Sequence, residues 1–249
     1  MQVIVDGLLV DYQKSGQGQL LVLIHGWNDS AKGLQTLSQQ LSKKYQVITP
    51  DLPGFGASQA PGEVWGLDEY SSFIAHLIKK LNLGQPHALI GHSNGGAIAL
   101  RGLASVVLSA DKLVLLSSAG IRSKNRGRLM AIQLSTKAGK IILLPLPKSL
   151  KSKIRKRLYT KIGSDMLVAE HLSDSFKKIV AEDEQADAAG INQPTLIIYG
   201  EDDEQTPLSY GQIFHQLIEG STLEVLPNAG HFVHQDRPAD VVKLIEDFL

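Results

Sequence analysis

Cysteine is absent from the 249 residues, which excludes disulfides and thiol nucleophiles without identifying a compartment. No apolar run approaches the roughly 18 residues needed to cross a bilayer, so no integral membrane contact is expected. The opening Met1-Gln2-Val3-Ile4-Val5-Asp6-Gly7 lacks a basic start followed by an apolar core. It reads as the beginning of a strand rather than an export signal, and the cytoplasm is the expected location. Acids are missing from Lys112 through Ser164, while Arg122 to Lys161 holds thirteen Lys and Arg. From Asp165 to Leu249 there are seventeen acids against four bases, so a formal net charge of zero conceals a positive middle and a negative end. Such a basic block is either a solvated face or an attractor of anionic substrates or surfaces. Its single aromatic is Tyr159, too little for stacking on bases, so no nucleic-acid partner is expected.

What is present is ample apolar material: 43% of residues are hydrophobic and 20% charged, enough to bury one large core in one domain with an insertion, or in two. Val3 to Val5 and Leu8 to Tyr12 read as short strands joined through Asp6-Gly7, a hairpin signal. Leu20 to Ile24, Tyr45 to Thr49, His87 to Ile90, Lys112 to Leu116, Pro194 to Tyr199 and Thr222 to Leu226 follow. The most apolar of these are continuous runs of the kind buried on both faces of a parallel sheet. Helical spacing separates them at residues 31–44, Leu67 to Leu81, about Leu208 to Glu219 and Pro238 to Leu249. From about Gly120 to Gln193 the alternation gives way to helical spacing, basic charge and the break Leu143-Leu144-Pro145-Leu146-Pro147, with no convincing strand. An all-helical insertion in a parallel α/β sheet is the economical reading.

One stretch carries chemistry. Ala88-Leu89-Ile90 breaks at Gly91-His92-Ser93-Asn94-Gly95 into a run rich in Ala and Leu, giving strand, Gly-x-Ser-x-Gly, helix. Glycines two residues before and after the serine let strand and helix pack closely while the hydroxyl is pushed outward. The helix that follows turns its first N–H groups toward the same spot.

The chain resembles the α/β-hydrolase superfamily over nearly its whole length apart from the insertion. The resemblance rests on His25-Gly26-Trp27, Asp51-Leu52-Pro53-Gly54-Phe55-Gly56-Ala57-Ser58, Gly91-His92-Ser93-Asn94-Gly95-Gly96, Gly200-Glu201-Asp202-Asp203 with Pro207, and Gly230-His231. Each falls at a strand end, in the family's order. It implies one domain over residues 1–249 built on a mostly parallel eight-stranded sheet with helices on both faces. The helical insertion after the sixth strand, at about 120–193, would be a cap over the active site.

A serine hydroxyl needs a base at neutral pH, and the base needs an acid to hold its tautomer. Of eight histidines, His231 is the candidate base, because a loop after Thr222 to Leu226 can carry it over the sheet edge toward Ser93; His234 is the alternative. The order Ser, Asp, His is that of this fold. His92 should pack away from the serine, and His25 should hydrogen-bond behind the oxyanion loop. The family's spacing after the strand-ending glycine and before proline selects Asp203 as the acid over Asp202. Backbone N–H groups of Trp27 and Asn94 would form the oxyanion hole. The Trp27 indole either walls the acyl pocket or is structural.

An aspartate stands in place of Ser93 in relatives that cleave carbon–halogen bonds or epoxides, so those reactions are disfavoured. No metal spacing and no dinucleotide fingerprint appear, so neither metal nor cofactor is expected. What remains is a serine hydrolase acting on carboxylic esters or on thioester, lactone or ketone-adjacent C–C bonds; perhydrolases share the same triad. The partner would be a small-molecule ester, anionic if the basic face lines the entrance. The other class left open is a ligand sensor that keeps the fold and turns over slowly or not at all. Ile141 to Leu146 would be an apolar gate or a patch burying the cap.

Overall fold

The computed structural model describes residues 1–122 and 170–249. Arg122 apart, the basic block lies outside the described residues, as do Ile141 to Leu146 and most of the expected insertion.

The strands are β1 (Gln2–Val5), β2 (Leu8–Ser15), β3 (Leu20–Ile24), β4 (Gln46–Pro50), β5 (Ala88–His92), β6 (Lys112–Leu116), β7 (Thr195–Gly200) and β8 (Thr222–Leu226). They form one eight-stranded sheet in the order β1-β2-β4-β3-β5-β6-β7-β8. β2 pairs antiparallel with β1 and β4, and every other pair is parallel. Asp6 and Gly7 form the expected hairpin turn with φ of 50° and 80°, pairing Val5 with Leu8. Both central residues at positive φ are what a two-residue turn matched to strand twist requires.

The helices among the described residues are α1 (Gln35–Leu41), α2 (Leu67–Lys80), α3 (Asn94–Ala104), α4 (Ser173–Ala181), α5 (Gln185–Ala188), α6 (Leu208–Leu217), α7 (Val233–Asp236) and α8 (Pro238–Phe248). A 3-10 turn at Glu170–Leu172 precedes α4. Residues 31–34 form turns instead of continuing α1, so that helix is shorter than its apolar spacing suggests. No described helix is long and apolar enough to cross a membrane.

The continuous apolar strands explain the layering. Period-two alternation sends Val22, Ile24, Leu89, Leu113, Leu115, Ile197 and Tyr199 to one face, against Tyr70, Phe73 and Leu77 of α2, Ile98 of α3 and Phe214 of α6. Leu21, Leu23, Ile90, Val114, Leu116 and Ile198 face the other way, against Leu37 and Leu41 of α1 and Val241 and Ile245 of α8. Helices therefore cover both faces, and the central strands β3, β5 and β7 are buried throughout. All six strands from β3 to β8 run in parallel, so their carboxyl ends lie along one rim, where ligands bind in open α/β sheets.

Candidate active site

Ser93 stands between β5 and α3 with φ 51° and ψ −117°, a conformation non-glycine residues rarely hold. The turn survives because its neighbours are glycines. A Cβ on Gly91 would lie 2.4 Å from the Gly95 carbonyl oxygen, and one on Gly95 would lie 2.1 Å from that of Ile24. The serine's backbone is tied to the end of β6: its N–H donates to the Leu116 carbonyl at 2.9 Å, and its own carbonyl accepts from Ala119 at 3.0 Å.

The loops after β7 and β8 bring an acid and an imidazole together. His231 Nδ1 lies 3.0 Å from Asp203 Oδ2, both side chains buried. A carboxylate only accepts, so Nδ1 carries the proton of the neutral ring and Nε2 keeps its lone pair. Asp203 Oδ1 accepts from the backbone N–H groups of Gln205 at 2.8 Å and Thr206 at 2.9 Å. Burial pushes the Asp203 carboxyl up, but His231 and the Thr206 donors together outweigh it and hold it below the ordinary carboxylate value. Glu201, Asp202 and Glu204 are exposed, and Asp203 alone of the four adjacent carboxylates turns inward. That burial separates it from Asp202.

His231 is also gripped through its backbone. His92 Nε2–H donates to the His231 carbonyl at 3.0 Å, with the two rings 4.9 Å apart. The elbow residue next to Ser93 thereby pins the loop that carries His231, a more specific task than the packing expected of it. Asp236 accepts from the Gly230 N–H at 2.8 Å and closes the same loop. His234, the alternative base, stacks 4.6 Å from His92 and makes no hydrogen bond to a carboxylate among the described residues. Burial, with the nearby His231, lowers it to about 4. Neither the Ser93 hydroxyl nor His231 Nε2 is engaged by another described residue.

His25 does hydrogen-bond behind the β3 loop. Its Nδ1–H donates to the Gly26 carbonyl at 2.8 Å and its Nε2 accepts from the Leu52 N–H at 2.9 Å, which fixes the neutral tautomer. Burial lowers its pKa, opposed by the bond to the Gly26 carbonyl and by the charges of Asp29 and Asp51. The C=O and N–H of a trans peptide point in opposite directions, so holding the Gly26 oxygen sets the aim of the Trp27 N–H. A Cβ on Gly26 would be 3.1 Å from the Cβ of Ser93, placing this peptide against the elbow. The Asn94 N–H is the first of α3 and has no intrahelical acceptor. The Trp27 indole packs between Phe55 at 4.8 Å and Phe176 of α4 at 5.2 Å. Beside it, Asn28, Asp29, Ser30, Gly54, Phe55, Gly56 and His171 line a cavity of about 300 Å³. No group of three metal-ligating side chains occurs among the described residues.

Thr206 is the residue at this pair that sequence reasoning missed. Its hydroxyl lies 2.8 Å from Asp203 Oδ2 and 3.0 Å from His231 Nδ1. Only its place before Pro207 in the acid loop signalled anything, and that place carries no requirement for a hydroxyl.

A parallel sheet with a serine elbow and a buried Asp–His pair along one rim defines a protein of the hydrolase class. Residues 21–244 match the alpha/beta hydrolase family, and the chain belongs to it. It is 27% identical over 267 residues to an uncharacterised hydrolase of Bacillus subtilis, covering 98% of this chain and 96% of that one. It is also 27% identical over 263 residues to 2-hydroxy-6-oxo-2,4-heptadienoate hydrolase of Pseudomonas putida, covering 99% and 95%. Among solved structures it is similar to the enol-lactonase from Burkholderia xenovorans, with TM-score 0.78, 22% identity and coverage of 100% and 99%.

Proposed function

We propose that this protein is a serine hydrolase that cleaves carboxylic esters, or closely related thioester, lactone or ketone-adjacent C–C bonds, through an acyl-enzyme. Ser93 is the nucleophile, His231 the general base and Asp203 the acid that holds it. The buried Asp203–His231 pair beside a strained serine elbow is the observation that carries this reading. In the first half-reaction the Ser93 oxygen attacks the substrate carbonyl while His231 Nε2 takes its proton. The Ser93–His231 hydrogen bond forms as substrate is engaged, since catalytic hydrogen bonds are commonly not yet made without ligand. Negative charge on the carbonyl oxygen is met by the N–H groups of Asn94 and Trp27, donors of a kind worth roughly 100- to 1000-fold each. His231 then returns its proton to the leaving group. In the second half-reaction it activates water, which releases the acid and restores Ser93.

The names of the relatives support a carbonyl-directed hydrolysis and leave the leaving group open. The test is turnover of short-chain p-nitrophenyl esters by the wild type and Ser93→Ala. Loss of turnover to background in the variant is expected. No wild-type turnover across acyl lengths, with a ligand still bound tightly, would instead favour a sensor. The acid-free, basic span from Lys112 to Ser164 adds a substrate preference: hydrolysis of anionic esters slows as salt rises, while neutral esters respond less. Equal salt response of the two would count against it.

A further inference from the structure

The Thr206 hydroxyl has more neighbours than a structural hydroxyl requires. It is buried, and within 3.0 Å it meets Asp203 Oδ2 at 2.8 Å, the Ser117 carbonyl at 2.9 Å and His231 Nδ1 at 3.0 Å. A hydroxyl owns one proton and two lone pairs. Two of these neighbours only accept, so they compete for that proton, while the Nδ1–H of neutral His231 is a donor that a lone pair can receive. The charge-assisted bond to a carboxylate is about twice as strong as one to a neutral carbonyl, so in a three-centre bond Asp203 takes the larger share of the proton and the Ser117 carbonyl the smaller.

The link to Ser117 gives the arrangement its reach. Ser117 follows β6, and its neighbours Leu116 and Ala119 are the residues that hold the backbone of Ser93 from both sides. Ser117 itself is tied to β7 by its N–H donating to Ile198 at 2.8 Å. Thr206 therefore connects acid and base, which come from two separate loops, to the short segment that carries the nucleophile's backbone. We propose that Thr206 is a positioning residue for the base, its hydroxyl fixing the Asp203 carboxylate and the His231 ring together and registering both against the Ser93 elbow. This rests on the reading of Ser93 as nucleophile.

The test compares Thr206→Val, Thr206→Ala and Thr206→Ser by kcat and KM on p-nitrophenyl acetate, and by the rate of Ser93 labelling with a fluorophosphonate. Val keeps the branched shape and Ala does not, yet both lack the hydroxyl. A positioning role therefore lowers kcat and labelling rate in both, by roughly 10- to 100-fold, with KM near the wild-type value. Thr206→Ser recovers most of the rate. Should Thr206→Val fail to fold, the Ala and Ser variants still decide. Activity of Thr206→Val within twofold of wild type, or Thr206→Ser as impaired as Thr206→Ala, would overturn the proposal. A loss that tracks volume, with Ala impaired and Val intact, would also overturn it. Ser93→Ala is run alongside: retained activity there sinks the nucleophile reading and this proposal with it. Lost activity there beside an unaffected Thr206→Val sinks this proposal alone.

Discussion

The backbone of Ser93 holds strain where the proposed chemistry needs the hydroxyl exposed. A non-glycine residue at φ 51° and ψ −117° costs on the order of 1–3 kcal/mol, and glycine at the same place is nearly free of that cost. Ser93→Gly is therefore expected to abolish turnover and to raise stability by about 1 kcal/mol, seen as a thermal midpoint roughly 2–4 °C higher. A midpoint at or below the wild type would mean the elbow is not strained. At the proposed acid, Asp203→Asn keeps the shape but presents an amide that competes for the wrong imidazole tautomer. Turnover should fall by roughly 10⁴-fold with the fold intact by circular dichroism. Retention of activity would reassign the acid.

At the scale of elements, two devices hold the site in place. The first is the close approach of β5 and α3 to β3 at the elbow. Gly95→Ala would drive a Cβ to 2.1 Å from backbone oxygen, which no rotamer change can relieve. About 3 kcal/mol or more of destabilisation is expected, measured by denaturant unfolding.

The second device ties the segment just before β7 to the core. Arg101 of α3 is paired with Asp68 of α2, with Glu182 and Glu184, and with Asp187 of α5. Glu184 is fully buried and accepts from Arg101 at 2.6 Å. Burial pushes its carboxyl up to about 8 even with Arg101 alongside. Removing the cation would raise the Glu184 carboxyl further, so Arg101→Ala should cost about 1 kcal/mol more at pH 9, where the wild type holds Glu184 ionised against Arg101, than at low pH. The cost should shrink at pH 5, where Glu184 holds a proton and needs no partner. Equal losses at the two pH values would show that Glu184 is not the group being neutralised.

For the whole molecule, His25, His92 and His234 are buried, and burial lowers all three below the ordinary histidine value. Between about 6.5 and 4 the unfolded chain binds protons that the folded chain refuses, so stability falls as pH drops through this window. Each such group contributes a slope of about 1.4 kcal/mol per pH unit. Asp203 is lowered as well, but a carboxyl of that kind loses its contribution only below the ordinary carboxylate range. The raised Glu184 carboxyl takes up a proton on folding in the same window and offsets about one of these slopes, so thermal midpoints recorded from pH 7 to 4 should still decline, and those of a His234→Asn variant should decline less. Parallel curves would remove His234 from this account.

How much of this was legible in the residues follows from what each feature depends on. The strand-and-helix alternation, the hairpin at Asp6-Gly7 and the Gly91 to Gly95 elbow are local patterns, set by side-chain period and by backbone freedom at single positions. The order of the motifs was enough to expect an alpha/beta hydrolase, and the sheet has the eight strands and mostly parallel pairing that family implies. The spacing between Gly200 and Pro207 already singled out Asp203 among four adjacent carboxylates, but tertiary structure alone decided that His92 grips the backbone of His231 and that Thr206 touches Asp203 and His231 at once. Apart from the Thr206–Asp203 contact within one loop, those contacts join residues 25 and 139 positions apart. Burial and hydrogen-bond geometry at such separations exist only after the loops have closed over the rim of the sheet, so no local pattern can encode them.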